Sequence, residues 1–447
     1  MFNPGASAFT ITATPPLTLT ISGTGITNNS GIAQNLVAAT VGAANFATIA
    51  FTNSATAGSG TFFTTNASTM FDGIGGQIMF FNASTAANGT FTNNGDNGTS
   101  GTTTFYDAST AGNGTFTNNR GGGVVFYGSS TAGNGTFTNN GAVAAVENPG
   151  FTDFYDTSSA DNATLIANGG QNGVVGGSIY FVIGSSGGTA RVLLSGNSNL
   201  DISRHLGPGV TVGSIKGSGN IFLGHRTLMV GNNNLSTLFS GVIQDGGISG
   251  GTGGSLTKVG TGKLILSHAN IYTGGTTLRR GKLMINNTSG SGTGSGPVQV
   301  NGGWLGGQGT IAGAVTVGAG TGRGAVLSPG YLNGVDSPGA LTIQSPLSFT
   351  SDATYEVEVN SSSATADEVI ANGVTINTGA QFSFADLGSG TLIPGTVFTV
   401  INNTAATPIA GTFSNLLDGS MFTANGNTYQ VNYDGGDGND LTLAVIP

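Results

Sequence analysis

Cysteine is absent from this chain, and charged side chains are scarce. The 447 residues include 11 Lys or Arg and 20 Asp or Glu, so charged residues make up 7% of the chain, against about 25% in an average protein. Without cysteine the protein has no disulfides, thiolate metal ligands or cysteine nucleophiles. No apolar run approaches the roughly 18 residues of a membrane span, and Met1–Pro4 lacks the cationic and apolar parts of a signal peptide. Because disulfides and thiolate metal sites are excluded, we expect stability to come from burial and backbone pairing.

Glycine and strand-forming residues take the place of charge. The chain has 80 Gly and 25 Phe, and it is otherwise rich in Thr, Ser, Asn, Val and Ile, which favour strands and turns over helices. Gly and Pro together remain below the roughly 25–30% typical of low-complexity disorder. The composition predicts a folded, all-β protein.

A repeat of 21 to 29 residues runs through the first 190 residues, aligned on an Ala that follows Thr or Ser, as in Thr56–Ala57. Six residues before this Ala stand Phe51, Phe80, Phe105, Phe126 and Phe154, and five after it stand Phe62, Phe91, Phe116, Phe137 and Leu165. Eight after it stand Thr65, Asn94, Asn119, Asn140 and Asn168. Fixed columns with variable Gly-rich spacers indicate that each repeat is one unit stacked on the next.

A repeat of this length accommodates about three short strands and three turns, which make one coil of a parallel β-helix. Identical positions then stack about 4.8 Å apart. The two Phe columns would form an internal aromatic ladder, and the Asn column a ladder of amide hydrogen bonds from coil to coil. The alternative is a β-sandwich or barrel with short hairpins.

Three parts are distinguishable along the chain. Residues 1–190 carry the Phe and Asn columns, residues 191–340 continue the β-solenoid with different coil sequences, and residues 341–447 have longer, alternating strands. Asn425–Gly426 stands between two alternating runs, which is the strongest short signal for a β-hairpin. We therefore predict a less regular, partly antiparallel C-terminal cap on the solenoid.

One segment resembles a known family. From Leu256 to Leu283 the chain reads LTKVGTGKLILSHANIYTGGTTLRRGKL. This closely resembles the passenger-associated transport repeat of bacterial autotransporter passengers, with matching landmarks at Leu256, Lys258, Gly260, Gly262, Leu264, Leu266, Ser267, Asn270, Tyr272, Gly274, Gly275, Thr276 and Gly281. The resemblance implies a right-handed parallel β-helix located outside a bacterial cell. Autotransporters continue into a C-terminal membrane barrel, and this chain stops at Pro447, so we expect a processed surface protein or an excised passenger.

Cations are concentrated in the middle of the chain. Residues 191–282 have a balance of +7, between flanking blocks of −6 and −10. This basic belt is a candidate for binding a polyanion such as an acidic polysaccharide or extracellular nucleic acid, but solvated coil edges are the simpler interpretation. Stacking aromatics do not alternate with the cations, which weakens the nucleic-acid interpretation. The candidate residues are Arg204, Lys216, Arg226, Lys258, Lys263, Arg279, Arg280 and Lys282.

The chain offers few constellations for catalysis or metal binding. The nearest catalytic candidate is the group Asp201, Arg204, His205, His225 and Arg226, whose members share a face if their offset of 21 to 24 residues equals one coil. The segment Gly435–Asp440 resembles a calcium-binding β-roll repeat, but it occurs once, and calcium needs roughly six to eight oxygens. We therefore expect a non-enzymatic protein with no active site, metal site or cofactor.

Two non-enzymatic functions fit these observations. A structural surface or matrix protein would associate with its own copies into fibres through two uncharged N-terminal strands, with Phe9, Ile11, Leu17, Leu19 and Ile21 at the joint. An adhesin or autotransporter passenger would instead bind a glycan or other polyanion. Short Gly, Ser and Asn spacers favour the first, because an adhesin would show long, varied loops. A polysaccharide-degrading β-helix enzyme is the third interpretation. All three predict an extracellular or cell-surface location.

Overall fold

Residues 1–68, 70, 73–96, 99–320, 322, 324–331 and 337–447 are described by the structure, a computed structural model. Their regular structure is almost entirely β-strand, as the composition predicts. The chain folds into two units. The first contains Met1–Leu228 and Gly246–Gly251, and the second contains Met229–Asp245 and Thr252–Pro447.

Short strands separated by tight turns build the first unit, with a 3-10 helix at Gln171–Gly173. The strands are β1 (Thr10–Ala13), β2 (Thr18–Ile21), β3 (Gln34–Ala38), β4 (Thr48–Phe51), β5 (Ser59–Thr65), β6 (Ile74–Phe80), β7 (Asn88–Asp96), β8 (Thr99–Phe105), β9 (Thr115–Asn119), β10 (Gly123–Phe126), β11 (Thr136–Asn139), β12 (Phe151–Phe154), β13 (Thr164–Ala167), β14 (Ser178–Phe181), β15 (Arg191–Leu194), β16 (Asn199–Asp201), β17 (Gly209–Val212), β18 (Ser214–Gly217) and β19 (Asn220–Phe222). β20 (Thr227–Val230) crosses the boundary between the units.

Two parallel ladders form this unit. In one, β1, β3, β5, β7, β9, β11, β13, β15 and β18 pair in that order. In the other, β2, β4, β6, β8, β10, β12, β14, β16 and β19 do so. A third corner consists of single bridges through Thr56, Thr85, Thr110, Thr131 and Ser159, the residues that precede the repeat's Ala. This is a parallel β-helix, with a bridged corner where a third strand was expected.

Phenylalanine fills the interior of the first unit. Phe105, Phe126 and Phe154 are fully buried and stack with ring centroids 4.8 Å apart. The second column stacks in the same way, with 4.6 Å between Phe91 and Phe116, and its rings meet the first column edge to face. The predicted internal aromatic ladder is confirmed.

The first member of the second Phe column differs from the prediction. Phe63, and not Phe62, is in register with Phe91, whereas Phe62 is 42% exposed. A register shift between Ser59 and Phe62 gives β5 an extra residue, and such a bulge turns the following side chains to the opposite face. The same shift places Thr65 opposite Asn93, so Thr65 is outside the predicted asparagine column.

Asparagine ladders link successive coils. The predicted ladder joins Asn94, Asn119, Asn140 and Asn168, with Nδ2 to Oδ1 distances of 3.1, 2.8 and 2.9 Å. A second ladder, which the alignment did not predict, is fully buried and joins Asn93 to Asn118 at 2.8 Å and Asn118 to Asn139 at 2.7 Å. Buried amides are tolerated here because Asn93 and Asn118 each donate to the next asparagine of the ladder. The ladder ends at Asn139, whose buried Nδ2 has no hydrogen-bond partner among the described residues.

Parallel pairing continues in the second unit. Its strands are β21 (Thr237–Phe239), β22 (Val242–Gln244), β23 (Ser255–Lys258), β24 (Lys263–Leu266), β25 (Thr276–Leu278), β26 (Lys282–Ile285), β27 (Val298–Val300), β28 (Gly303–Gly307), β29 (Thr310–Ile311), β30 (Val315–Val317), β31 (Ala325–Pro329), β32 (Ala340–Ile343), β33 (Leu347–Phe349), β34 (Ala353–Asn360), β35 (Thr365–Ala366), β36 (Glu368–Ala371), β37 (Val374–Ile376), β38 (Gln381–Asp386), β39 (Val397–Asn403), β40 (Met421–Ala424), β41 (Asn427–Gly435) and β42 (Asp440–Ile446).

These strands form three parallel ladders. The first runs β21, β24, β26, β28, β31, β34 and β38, the second β23, β25, β27, β30, β33 and β37, and the third β29, β32, β36 and β39. Parallel pairing therefore extends beyond residue 340. The alternating strand β34 fits a parallel coil because its inward residues, such as Tyr355 and Val357, are fully buried.

Antiparallel strands cover the end of the third ladder. β39 pairs with β42, β42 with β41, and β41 with β40, all antiparallel. Asn425 and Gly426, with φ of 45° and 78°, form the turn between β40 and β41, as expected for a two-residue hairpin turn. The predicted C-terminal hairpin is confirmed.

Candidate functional site

A column of cations and an aromatic ring lies on one outward face of the second unit. Parallel register places Lys263 opposite Lys282, and Lys282 opposite Trp304. Their neighbours Leu264, Leu283 and Leu305 are buried in the core, so alternation along the strands turns these three side chains outward. We call Lys263, Lys282 and Trp304 the cationic column.

Aromatic contacts hold the lysines of the cationic column. The Lys263 Nζ lies 3.7 Å from the ring centroid of Tyr331, and the Lys282 Nζ lies 5.5 Å from that of Trp304. Like charges opposite each other destabilise a sheet, and cation–π contact offsets part of that cost. Trp304 is 39% exposed, and Arg279 and Arg280 are exposed at the turn that precedes β26. Aromatics therefore do accompany these cations, but they come from other coils: Trp304 from the next strand of the ladder and Tyr331 from the loop after β31.

Lys258 has a different environment from the other predicted cations. It is 1% exposed, and its Nζ donates to the carbonyl oxygens of Val259, Gly260 and Arg280. Burial lowers the pKa of Lys258 to about 8. The ammonium fastens one coil to the next and does not reach the surface.

The remaining cations of the predicted belt belong to the first unit. Lys216 is exposed at the end of β18, and the Arg226 Nη1 donates to the Gly207 carbonyl at 3.2 Å. Arg204 is exposed and acts electrostatically on Asp153. Burial raises the pKa of Asp153 to about 7, although the Tyr155 hydroxyl and the Arg204 charge oppose this shift.

The two halves of the predicted catalytic group lie on successive coils, and backbone groups occupy two of its members, Asp201 and His205. The Asp201 carboxylate accepts from the backbone N–H groups of Ser203 at 2.7 Å and Ile248 at 2.8 Å. One coil away, Asp201 is opposite Phe222. The His205 ring lies between two backbone partners, with Nδ1 accepting from Gly207 N–H at 3.1 Å and Nε2 3.0 Å from the Ser185 carbonyl oxygen. Asp201 and His205 are buried, whereas His225 is exposed.

The glycine-rich turn that resembles a calcium repeat is held by protein partners. The Asp440 Oδ1 accepts from the Asn403 N–H at 2.9 Å, and Asn439 donates to the Ala405 carbonyl. Burial raises the pKa of Asp440. Across the described ranges, no group of three His, Cys, Asp or Glu side chains is arranged to hold a metal ion.

The N-terminal coil presents an open apolar surface. β1 and β2 pair with β3 and β4, and no pairing on their other edges occurs among the described residues. Leu19 and Ile21 are in register with the buried Ile49 and Phe51, so they occupy core columns of the first coil. They are half-buried, whereas three neighbours have larger exposed fractions. These are Phe9 at 50%, Ile11 at 41% and Leu17 at 62%.

Trp304 and Tyr331 were not predicted to accompany the lysines. Trp304 lies 22 residues after Lys282, a distance close to one repeat, and that spacing is the signal that could have placed it one coil away. No comparable spacing links Tyr331 to Lys263. Tyr331 lies in the loop after β31, where its backbone φ is 59°, and not at a repeated strand position.

Two comparisons relate this chain to known proteins. Residues 256–285 match the model of the passenger-associated-transport-repeat, which confirms the resemblance to autotransporter passengers in that segment. The segment forms β23 to β26, two stacked coils. The crystal structure of the Haemophilus influenzae Hap adhesin is similar to this chain with a TM-score of 0.29 and 10% identity, over 98% of this chain and 64% of that one. This chain thus spans less than two thirds of the Hap structure.

No curated protein matches the chain. Within the described ranges, none of the helical structure has the length and apolarity needed to cross a membrane.

Proposed function

We propose that this protein is a non-enzymatic bacterial surface or secreted β-solenoid that associates with a second copy of itself through its N-terminal coil. The observation that carries the proposal is the open edge of β1 and β2, with Phe9, Ile11 and Leu17 exposed beside it. Unpaired strand edges with apolar side chains are templates for pairing with another chain.

Charge does not oppose this contact. Residues 2–71 contain no charged side chain, so two N-terminal coils approach each other without like-charge repulsion. A head-to-head pair joined by the same surface on both copies has two-fold symmetry and is closed. A fibre would require a second, different joint, and β40 to β42 cover the end of the third ladder. We therefore favour a closed dimer over the fibre expected from the sequence.

Sedimentation velocity over a range of protein and salt concentrations tests this proposal. We expect a concentration-dependent dimer that persists at high salt, because the joint rests on apolar burial and backbone pairing. Ile11→Lys should shift the protein to monomer, since a charge on an edge strand blocks pairing. Leu206→Lys is the matched control, because Leu206 is 70% exposed elsewhere in the same unit. A native protein that remains monomeric at all concentrations would contradict the proposal, and filaments would support the fibre instead.

A second candidate function is binding of an acidic polymer at the cationic column. The specific observation in its favour is the register of Lys263 with Lys282, beside the half-exposed Trp304. Two lysines from strands about 4.8 Å apart suit closely spaced carboxylates, and a half-exposed indole offers a surface for a sugar ring. Such a surface is compatible with an adhesin.

Binding assays with polygalacturonate and with duplex DNA test the second candidate. We expect the paired change Lys263→Gln and Lys282→Gln to reduce binding and its salt dependence, whereas Lys216→Gln in the first unit should change neither. Trp304→Ala separates the ligands, because it should weaken polygalacturonate binding more than duplex DNA binding. Equal binding by the native protein and the double variant would refute this function.

A further inference from the structure

One face of the first unit presents an array of small uncharged polar side chains in register. On β7, β9, β11 and β13 every second residue points outward. Together with the positions just beyond each strand, the four rows of outward residues are Asn88, Thr90, Thr92 and Asn94; Asn113, Thr115, Thr117 and Asn119; Asn134, Thr136, Thr138 and Asn140; and Asn162, Thr164, Ile166 and Asn168. We call the seven threonines of these rows the threonine face.

The rows are aligned without a shift. Thr90, Thr115, Thr136 and Thr164 are mutually in register, and so are Thr92, Thr117 and Thr138. The asparagines at the borders are tied from coil to coil, at 3.1 Å between Asn88 and Asn113 on one side and at 2.8 Å between Asn119 and Asn140 on the other. The borders therefore link successive rows of the array.

The hydroxyl groups of the threonine face are free of partners inside the protein. Within the described part of the chain, none of the seven makes a hydrogen bond through its side chain. All seven residues are partly or fully exposed. Because a β-branched side chain is stiff at χ1, each hydroxyl and each methyl group is held in place at little entropic cost. The sixteen positions of these rows include no charged residue, and Asp96, the next outward residue of β7, lies beyond the asparagine border.

The spacing of this array corresponds to that of ice. Neighbouring parallel strands lie about 4.8 Å apart, and residues two apart along a strand lie about 6.6 Å apart. Water oxygens joined by tetrahedral hydrogen bonds of about 2.8 Å have second neighbours about 4.5 Å apart, and the hexagonal lattice repeats along its axis about every 7.4 Å. Between coils the mismatch of about 0.3 Å accumulates to only about 1 Å over four coils. Along a strand the mismatch is larger, about 0.8 Å, but it occurs only once because no row has more than two threonines.

We propose that the threonine face binds the surface of ice. Water between two threonine columns can donate to and accept from free hydroxyls while the methyl groups exclude disordered solvent, so the first hydration layer is already close to the ice lattice. A charged side chain would orient water around itself, and the face carries none. This activity is separate from self-association, since the threonine face lies on coils that begin after the N-terminal one.

Freezing experiments on the purified full chain test the proposal, with ice itself as the probe. A nanolitre osmometer measures the gap between melting and freezing and records the shape of the crystal. We expect the native protein to give a gap and faceted crystals, and the paired change Thr115→Tyr and Thr117→Tyr to lose both. Tyrosine preserves strand propensity, and its ring breaks the array at the centre.

Thr211→Tyr is the matched control. Thr211 points outward from β17 in the same unit, and this variant should retain the full gap. Circular dichroism and thermal unfolding of each variant separate loss of the face from loss of the fold. The proposal is overturned if the native protein gives no gap and round crystals, or if a folded Thr115→Tyr, Thr117→Tyr variant retains the native gap. Adsorption to microcrystalline cellulose without any effect on ice would also overturn it, and would assign the face to a neutral glycan.

Discussion

Phe62 and Phe63 are neighbours in β5 with opposite environments. Phe63 is 1% exposed, stacks on Phe91 with 4.7 Å between ring centroids, and meets Phe51 edge to face at 5.7 Å. Phe62 points outward and is 42% exposed. Replacing either residue by Ala removes the same atoms from one strand, so the difference between the variants measures what the interior position contributes.

The expected magnitudes follow from burial and ring contacts. Truncation of a core Phe to Ala costs about 3–5 kcal/mol. Phe63→Ala also loses two aromatic contacts worth about 0.5–1.5 kcal/mol each, but the truncation cost already includes part of this loss. We expect a loss of about 4 kcal/mol for Phe63→Ala. Phe62→Ala leaves no cavity and should cost less than about 1 kcal/mol. The expected difference is therefore about 3 kcal/mol.

Hydrogen exchange followed by mass spectrometry is the suitable assay. A solenoid can open locally at a few coils, and the chain's single tryptophan, Trp304, lies in the second unit and does not report on β5. A loss of about 3 kcal/mol corresponds to roughly hundredfold faster exchange, which we expect at amides of β5 and β7 in Phe63→Ala relative to Phe62→Ala. If Phe62→Ala accelerates exchange as much as Phe63→Ala or more, the register assigned to β5 is wrong.

Three further predictions concern buried polar groups. Asn118→Leu should lower the free energy of local unfolding by about 1–3 kcal/mol, because it leaves Asn93 and Asn139 without their buried partner; Asn119→Leu, on the half-exposed ladder, should cost less in the same hydrogen-exchange assay. Lys258→Met should destabilise the second unit by about 2 kcal/mol or more, since three carbonyl groups lose a charged donor, whereas Lys263→Met should cost about 1 kcal/mol or less in urea unfolding followed by Trp304 fluorescence. Burial raises the pKa of Asp367 to about 8, so between about pH 4 and 8 this carboxyl ionises in the unfolded chain but stays protonated in the folded protein. Stability should therefore fall as pH rises from about 4 to 8. Asp367→Asn should make the melting temperature less dependent on pH between pH 5 and 8.5.

Repetition explains how much of the fold could be predicted. Because Phe105, Phe126 and Phe154 recur at the same distance from the same Ala, the sequence specifies which positions stack, and the structure places them in one column. The bulge in β5 could not be predicted in this way. Phe62 and Phe63 are identical and adjacent, so either fits the column, and backbone pairing with β7 decides between them.

The basic belt illustrates what a linear count of charges lacks. Nine cations fall within residues 191–282, but they divide between two units, and their environments range from exposed, at Lys216, to fully buried, at Lys258. The alternation of inward and outward side chains along β23 is the signal that a charge count leaves out. Leu256 and Lys258 are two residues apart, so both face the same side of the strand, and the side that takes Leu256 is the core.

The passenger-type segment contributes structure more than recognition. Its landmark Asn270 is 3% exposed and joins two flanking stretches, accepting from Ile243 N–H at 2.7 Å and donating to the Gly292 carbonyl at 2.6 Å. Tyr272 is fully buried with its hydroxyl against Thr276, and Lys258 fastens the turn at Gly260 to Arg280. These side chains satisfy polar groups between coils, so any stacked coil benefits from them whatever the protein binds. The acidic-polymer binding proposed above depends instead on outward positions that are not among the matching landmarks, such as Lys263 and Lys282, and variants at those positions should change binding with little effect on stability.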